Sequence, residues 1–133
     1  MSTTHYQANR ILDHAFGATS FTPASTMYFG LSTTSISANG TGATEPSVGA
    51  YARASAANNK TTWGAAGSGS LTNLISISFI ESTASWGTIT HVFISDALTS
   101  GNMMYYSTLS PSRVVQSTTT VLFAASAITV TLT

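Results

Sequence analysis

A histidine, an aspartate and several hydroxyls stand close together in ASWGTITHVFISDA, residues 84–97, within a chain that has few other ionisable groups. A hydrolase built on such residues needs a nucleophile, a base and an orienting acid in contact. His91 and Asp96 supply the types but not the placing. On a regular strand His91 shares a face with Ile89 and Phe93, whereas Asp96 lies past Ser95 in a turn and projects to the opposite side. Asp96 reads as a turn-former whose carboxylate bonds backbone amides ahead of Gly101. GSGS at 67–70 lacks the strand-to-helix setting of a nucleophile elbow. The other two histidines, His5 and His14, fall on opposite sides of a helix. The four acids, Asp13, Glu45, Glu81 and Asp96, are too few and too scattered for a calcium cage or for paired-carboxylate chemistry. With no cysteine, disulfides, thiolate nucleophiles and thiolate zinc sites are excluded. The expectation is a chain with no catalytic residue, no metal site and no cofactor.

The elements that must carry these residues are mostly short strands. One helix is predicted over about 4–16. Thr3 or Thr4 caps it, Ala8, Ile11, Leu12, Ala15 and Phe16 form one apolar stripe, and Gly17 takes the left-handed position after it. Strands are expected from about 27 to 132: Met27–Thr33, Gly49–Ala57, Leu74–Ile80, Trp86–Ser95, Asn102–Thr108, Val114–Gln116, Thr119–Ala124 and Ala127–Leu132. Asp96–Gly101 turns one into the next, and Pro111 is expected to break the chain between two others. The segments SISANGTGATEPSV and NNKTTWGAAGSGS read as loops, the second carrying Trp63 as its bulky side chain. The fold class is therefore mainly β: an antiparallel β-sandwich or small jelly-roll-like barrel of about seven or eight strands with one N-terminal helix, in a single domain over 1–133. No heptad or fixed-period repeat points to a fibrous shaft.

Charged residues make up 6% of the 133, against roughly 25% in an ordinary soluble domain, while Ser and Thr together number 44. Four dispersed cations, Arg10, Arg53, Lys60 and Arg113, cannot neutralise a phosphate backbone, which argues against nucleic acid as a partner. The same scarcity argues against an anionic membrane surface. Polar residues early in MSTTHYQANRILDHAF interrupt any signal-peptide core, and no apolar run reaches spanning length. With so little charge to hold copies apart, much of the surface is expected to be covered by other subunits. In MMYY, Met103 and Tyr105 face one way and Met104 and Tyr106 the other, so one pair fills the core and the other meets the helix or a neighbour. Ile11, Phe16, Trp63, Met103, Met104, Tyr105 and Tyr106 are the interface candidates. Trp63, Trp86, Tyr51 and Tyr105 could instead form a sugar-binding surface, although packing is the commoner use of aromatics. Arg53 and Arg113 are surface ion-pair candidates for Glu45, Glu81 or Asp96.

In order along the chain, ANRILDHAFGATSFTPASTMYFGLSTT, GTGATEP leading to GAYARAS, SWGTITHVFISDALTSGNMMYYSTLSPSRVV and VLFAASAITVTL resemble a family of small tailed-bacteriophage virion structural proteins, often labelled tail fibre proteins. The resemblance covers nearly the whole chain and carries over no active-site residue. It implies a non-catalytic component of the virion, made in the host cytoplasm and built as a homo-oligomer such as a trimer. Its partners would be the major capsid protein or tail proteins. Between a capsid decoration or cement protein and a compact tail-fibre or tail-tip component that touches host glycans, the missing shaft favours decoration.

Overall fold

The computed structural model describes residues 1–17 and 19–132. In chain order the elements are β1 (Ser2–Thr3), α1 (His5–Ala15), β2 (Thr26–Ser32), β3 (Ala54–Ala57), β4 (Ser70–Thr72), β5 (Ile77–Ser78), β6 (Gly87–Ser95), β7 (Met103–Val115), β8 (Leu122–Phe123) and β9 (Thr129–Thr131). A five-stranded antiparallel sheet runs β1-β7-β6-β2-β3, and two short antiparallel ladders pair β4 with β9 and β5 with β8. This is the mainly β, sandwich-like fold with one N-terminal helix that the strand pattern predicts. Among the described residues no helix is long and apolar enough to cross a membrane.

Alternation along β2 sorts the layers. Met27, Phe29 and Leu31 lie opposite Ala56, Ala54, Ile94 and Val92 and turn with them to one face. There they meet Trp63, Ile77, Phe79, Ile128 and Val130 of the short ladders and their loops, forming one apolar core. The other face carries Tyr28, Gly30 and Ser32, opposite Ser95, Phe93 and His91. Phe93 is as deeply buried as the core residues, but beneath the 33–53 loop rather than the ladders.

Irregularities in β6 and β7 change which residues face inward. Between Ile89 and His91 the partner strand jumps from Arg113 to Thr108, a bulge that puts Ile89 in the core while His91 stays on the loop-covered face. The expectation that these two share a face is thereby corrected. A second irregularity, between Ile94 and Ser95, sends Met104 into the core with Tyr105 packed against it, so MMYY does not alternate strictly. Pro111 does not end the strand. β7 runs through it to Val115, because Pro111 sits in the bulge where it owes no ladder hydrogen bond. Of the expected Leu74–Ile80 strand only Ile77–Ser78 is paired. Asn73 bends the chain ahead of it by donating its Nδ2 to the Ile75 and Ala124 carbonyls, and Leu74 and Ile75 are left exposed. The expected Gly49–Ala57 strand is shortened to Ala54–Ala57.

Close packing at one glycine gives a direct test. A Cβ on Gly30 would lie 2.1 Å from Phe93 Cζ, and the ring has no room to yield because the Arg53 guanidinium lies over it, 5.0 Å from its centroid. Gly30→Ala should cost about 1–3 kcal/mol, as overpacked cores do, read as a lowered urea midpoint with an unchanged slope.

Candidate functional site

The His91 imidazole is held between hydroxyls, with Nδ1 2.8 Å from Thr90 Oγ1 and Nε2 3.2 Å from Thr108 Oγ1. The Asp96 carboxylate is committed elsewhere. Oδ1 accepts from the Asn102 amide at 2.7 Å and Oδ2 from Asn102 Nδ2 at 2.9 Å, closing the turn into β7. The two residues do not meet, and Asp96 is a turn-former as expected, although the amide it holds is that of Asn102, past Gly101 rather than ahead of it. Among the described residues no group of three or more His, Asp or Glu could hold a metal ion.

The charged centre of the molecule lies on the loop-covered face. Arg53, with a side chain only 7% exposed, donates through Nε and Nη2 to both Glu45 oxygens at 3.0 and 2.7 Å, a bidentate pair. Its Nη1 donates to the Ala97 and Ser100 carbonyls, which ties the 96–101 turn to the same point. The Tyr51 hydroxyl donates to Glu45 Oε1 at 2.8 Å and accepts from the Leu31 amide at 2.9 Å. Leu31 lies just past the end of β3 pairing, so the phenol takes a ladder donor that would otherwise be bare. Burial pushes the Tyr51 phenol far above its ordinary range. The Leu31 amide and the Arg53 charge oppose this, while the Glu45 bond and charge add to it. Every polar arm of Arg53 is occupied, so the network clamps loops to the sheet.

The third region is α1 and the cleft beside it. Thr4 caps the helix, accepting from the Gln7 amide, and its hydroxyl donates to the Met103 and Met104 carbonyls. Gln7, the one buried residue of α1, donates its Nε2 to the Tyr105 hydroxyl at 3.3 Å. These bonds hold only the first turn. Further along, Leu12 is 54% and Phe16 84% exposed, so the end of the apolar stripe is uncovered. On the other side of the helix, Phe21 lies under the Arg10 guanidinium at 4.4 Å and edge-on to His14 at 5.5 Å.

Between α1 and the sheet is a mainly apolar cleft of about 360 Å³. It draws together three candidates from distant segments: Ile11 from the helix, Trp63 from the loop before β4 and Tyr105 from β7. Trp63 is 6% exposed and tilted against Phe29, and Met104 is 2% exposed, so this chain's own residues cover both. Met103 and Tyr106 are half-buried and lie away from the cleft. Sequence reasoning missed Gln7, Asn58 and Asn59 on the cleft wall. Their only signal was a polar residue on the helix and an Asn pair in an apparent loop.

A family model described as Podophage GP4 fiber I protein gp80 matches residues 2–131, a span that takes in every element described above. No curated protein matches.

Two outcomes test the clamp. Glu45→Gln leaves the Arg53 charge without its counter-ion and should cost about 3 kcal/mol, whereas apolar replacement of both partners should recover much of that loss, both read from urea denaturation. Tyr51 ionises near pH 10 when unfolded and higher when folded, so its contribution is whole below pH 10 and is lost as the pH rises beyond it. Above pH 10, Tyr51→Phe should therefore lose stability less steeply than the wild type.

Proposed function

Since the chain belongs to the podophage GP4 fiber I protein gp80 family of phage virion structural proteins, we propose that it is a compact, non-enzymatic fibre component that self-associates through the uncovered face of α1 and contributes to contact with the host surface. The match over residues 2–131 carries this reading. The helix supports its assembly half: an isolated helix of eleven residues is marginal in water, and this one, hydrogen-bonded to the sheet through its first turn, leaves Leu12 and Phe16 bare. A second copy covering that face would bury apolar area and stabilise the fold by mass action. The non-enzymatic half is supported by a His91 that meets hydroxyls and an Asp96 spent on Asn102.

A shell role, as a decoration or cement protein, is the second reading, supported by a body with no shaft repeat. Copy number per purified particle separates the two, since a few to a few dozen copies mean a fibre and hundreds mean the shell. Particles lacking the protein should lose adsorption and keep their heat resistance; the reverse result assigns it to the shell. In solution, Leu12→Ser with Phe16→Ser should shift sedimentation toward monomer while leaving the far-ultraviolet spectrum unchanged. A hydrolytic activity abolished by His91→Ala would overturn the non-enzymatic reading.

A further inference from the structure

We propose that the cleft beside α1 is a binding site for a neutral sugar ring; this rests on the host-contact reading above and names its ligand class. The cleft, about 360 Å³, is near the lower end of the roughly 300–1,000 Å³ typical of small-molecule sites. Two of its lining residues carry buried polar atoms with no partner, an arrangement folded chains rarely keep. Gln7 is 5% and Trp63 6% exposed, and Gln7 Oε1 and Trp63 Nε1 make no hydrogen bond.

Around them the polar groups are half used. Gln7 Nε2 donates to the Tyr105 hydroxyl, which leaves the phenol its own proton to give. Asn58 spends its Nδ2 on the Ala24 carbonyl, and Asn59 its Oδ1 on Thr61, leaving one acceptor and one donor. The wall therefore offers donors and acceptors in mixture, among apolar and aromatic side chains. Lys60 is the one charged lining residue, and its ammonium donates to the Gly64 carbonyl. Sugar hydroxyls both donate and accept, and the C–H face of a pyranose lies well against apolar and aromatic surface. An anionic ligand would want more cations than this wall has, and a purely apolar one would leave the Gln7 and Trp63 atoms bare.

The test is a titration of the isolated full chain with a panel of neutral monosaccharides, glucose, galactose, rhamnose and N-acetylglucosamine, followed by tryptophan fluorescence and calorimetry. At least one should saturate in the millimolar range. Trp63→Phe, which keeps a ring and removes the N–H, and Tyr105→Phe should each weaken it about 3–10-fold, with circular dichroism at the titration temperature showing that each variant is still folded. Asn59→Ala, at the cleft's rim, should weaken it too without touching the core. No saturation by any sugar in the panel would overturn the proposal, as would binding that all three variants leave intact. A cleft filled by a neighbouring copy would give a stable oligomer and a silent titration, which also overturns it. Because the readout uses the free protein, its failure is distinct from failure of the fibre reading, which adsorption of depleted particles measures.

Discussion

Buried backbone groups must be hydrogen-bonded wherever they lie, and in this chain several lie in loops and bends between ladders. Five of the nine strands are two or three residues long, so loops cover much of both faces of the sheet. Side chains supply the missing partners. Ser32 Oγ donates to the Thr34 carbonyl and accepts from the Thr44 amide. Ser82 Oγ donates to the Gln116 and Thr119 carbonyls and accepts from the Thr119 amide. Asn73 bonds the Ile75 and Ala124 carbonyls and the Ile128 amide, joining both short ladders at a fully buried point. The Ser- and Thr-rich composition therefore does more than hydrate a surface; part of it is the fastening of an irregular fold.

Charge is used sparingly, and among the described residues the one ion pair is Arg53 with Glu45. A bidentate Arg–Glu pair over an aromatic ring fixes a planar geometry that a lysine could not reproduce. Here it holds the 33–53 loop and the 96–101 turn over Phe93, so that face of the sheet has a second buried layer without a second set of long strands. On the core face Tyr51 packs edge-on to Trp86 at 5.2 Å while its hydroxyl reaches Glu45. The clamp and the core are therefore joined through one side chain, and disturbance of either is felt by the other.

What the sequence shows about this fold is what periodicity can show. The alternation of Met27, Phe29 and Leu31 with smaller residues places β2 and its face, and Thr4 and Gly17 bracket α1 within a residue. The turn at Asp96 follows from residue type alone. Long-range choices are not legible in this way. Nothing local tells that Ile89 and His91 are separated by a bulge, because the extra residues belong to β7. Pro111 reads as a break unless the neighbouring strand is known to leave its amide position unpaired. Arg53 reads as a surface cation because, although Glu45 is near it in sequence, the groups that bury it, Phe93 and the Ala97 and Ser100 carbonyls, come from a distant segment. The same holds for the cleft: Ile11, Trp63 and Tyr105 are visible as bulky residues, but their convergence is a property of topology.

The helix joins the two proposed activities. Its first turn supplies Gln7 to the cleft and its middle supplies Ile11, while its exposed second half offers Leu12 and Phe16 to a neighbour. Because the helix is hydrogen-bonded to the sheet at its start, contacts on its far half and contacts in the cleft act on one short element. A neighbour that holds α1 against the sheet also holds Gln7 and Ile11 in the cleft wall. Any such effect of association on sugar affinity must be matched by an equal effect of sugar on association, since coupling between two binding equilibria is reciprocal. Weak affinity at a single cleft is then no obstacle to host contact. Copies joined through α1 would present several clefts to one surface, and avidity rises with the number engaged together.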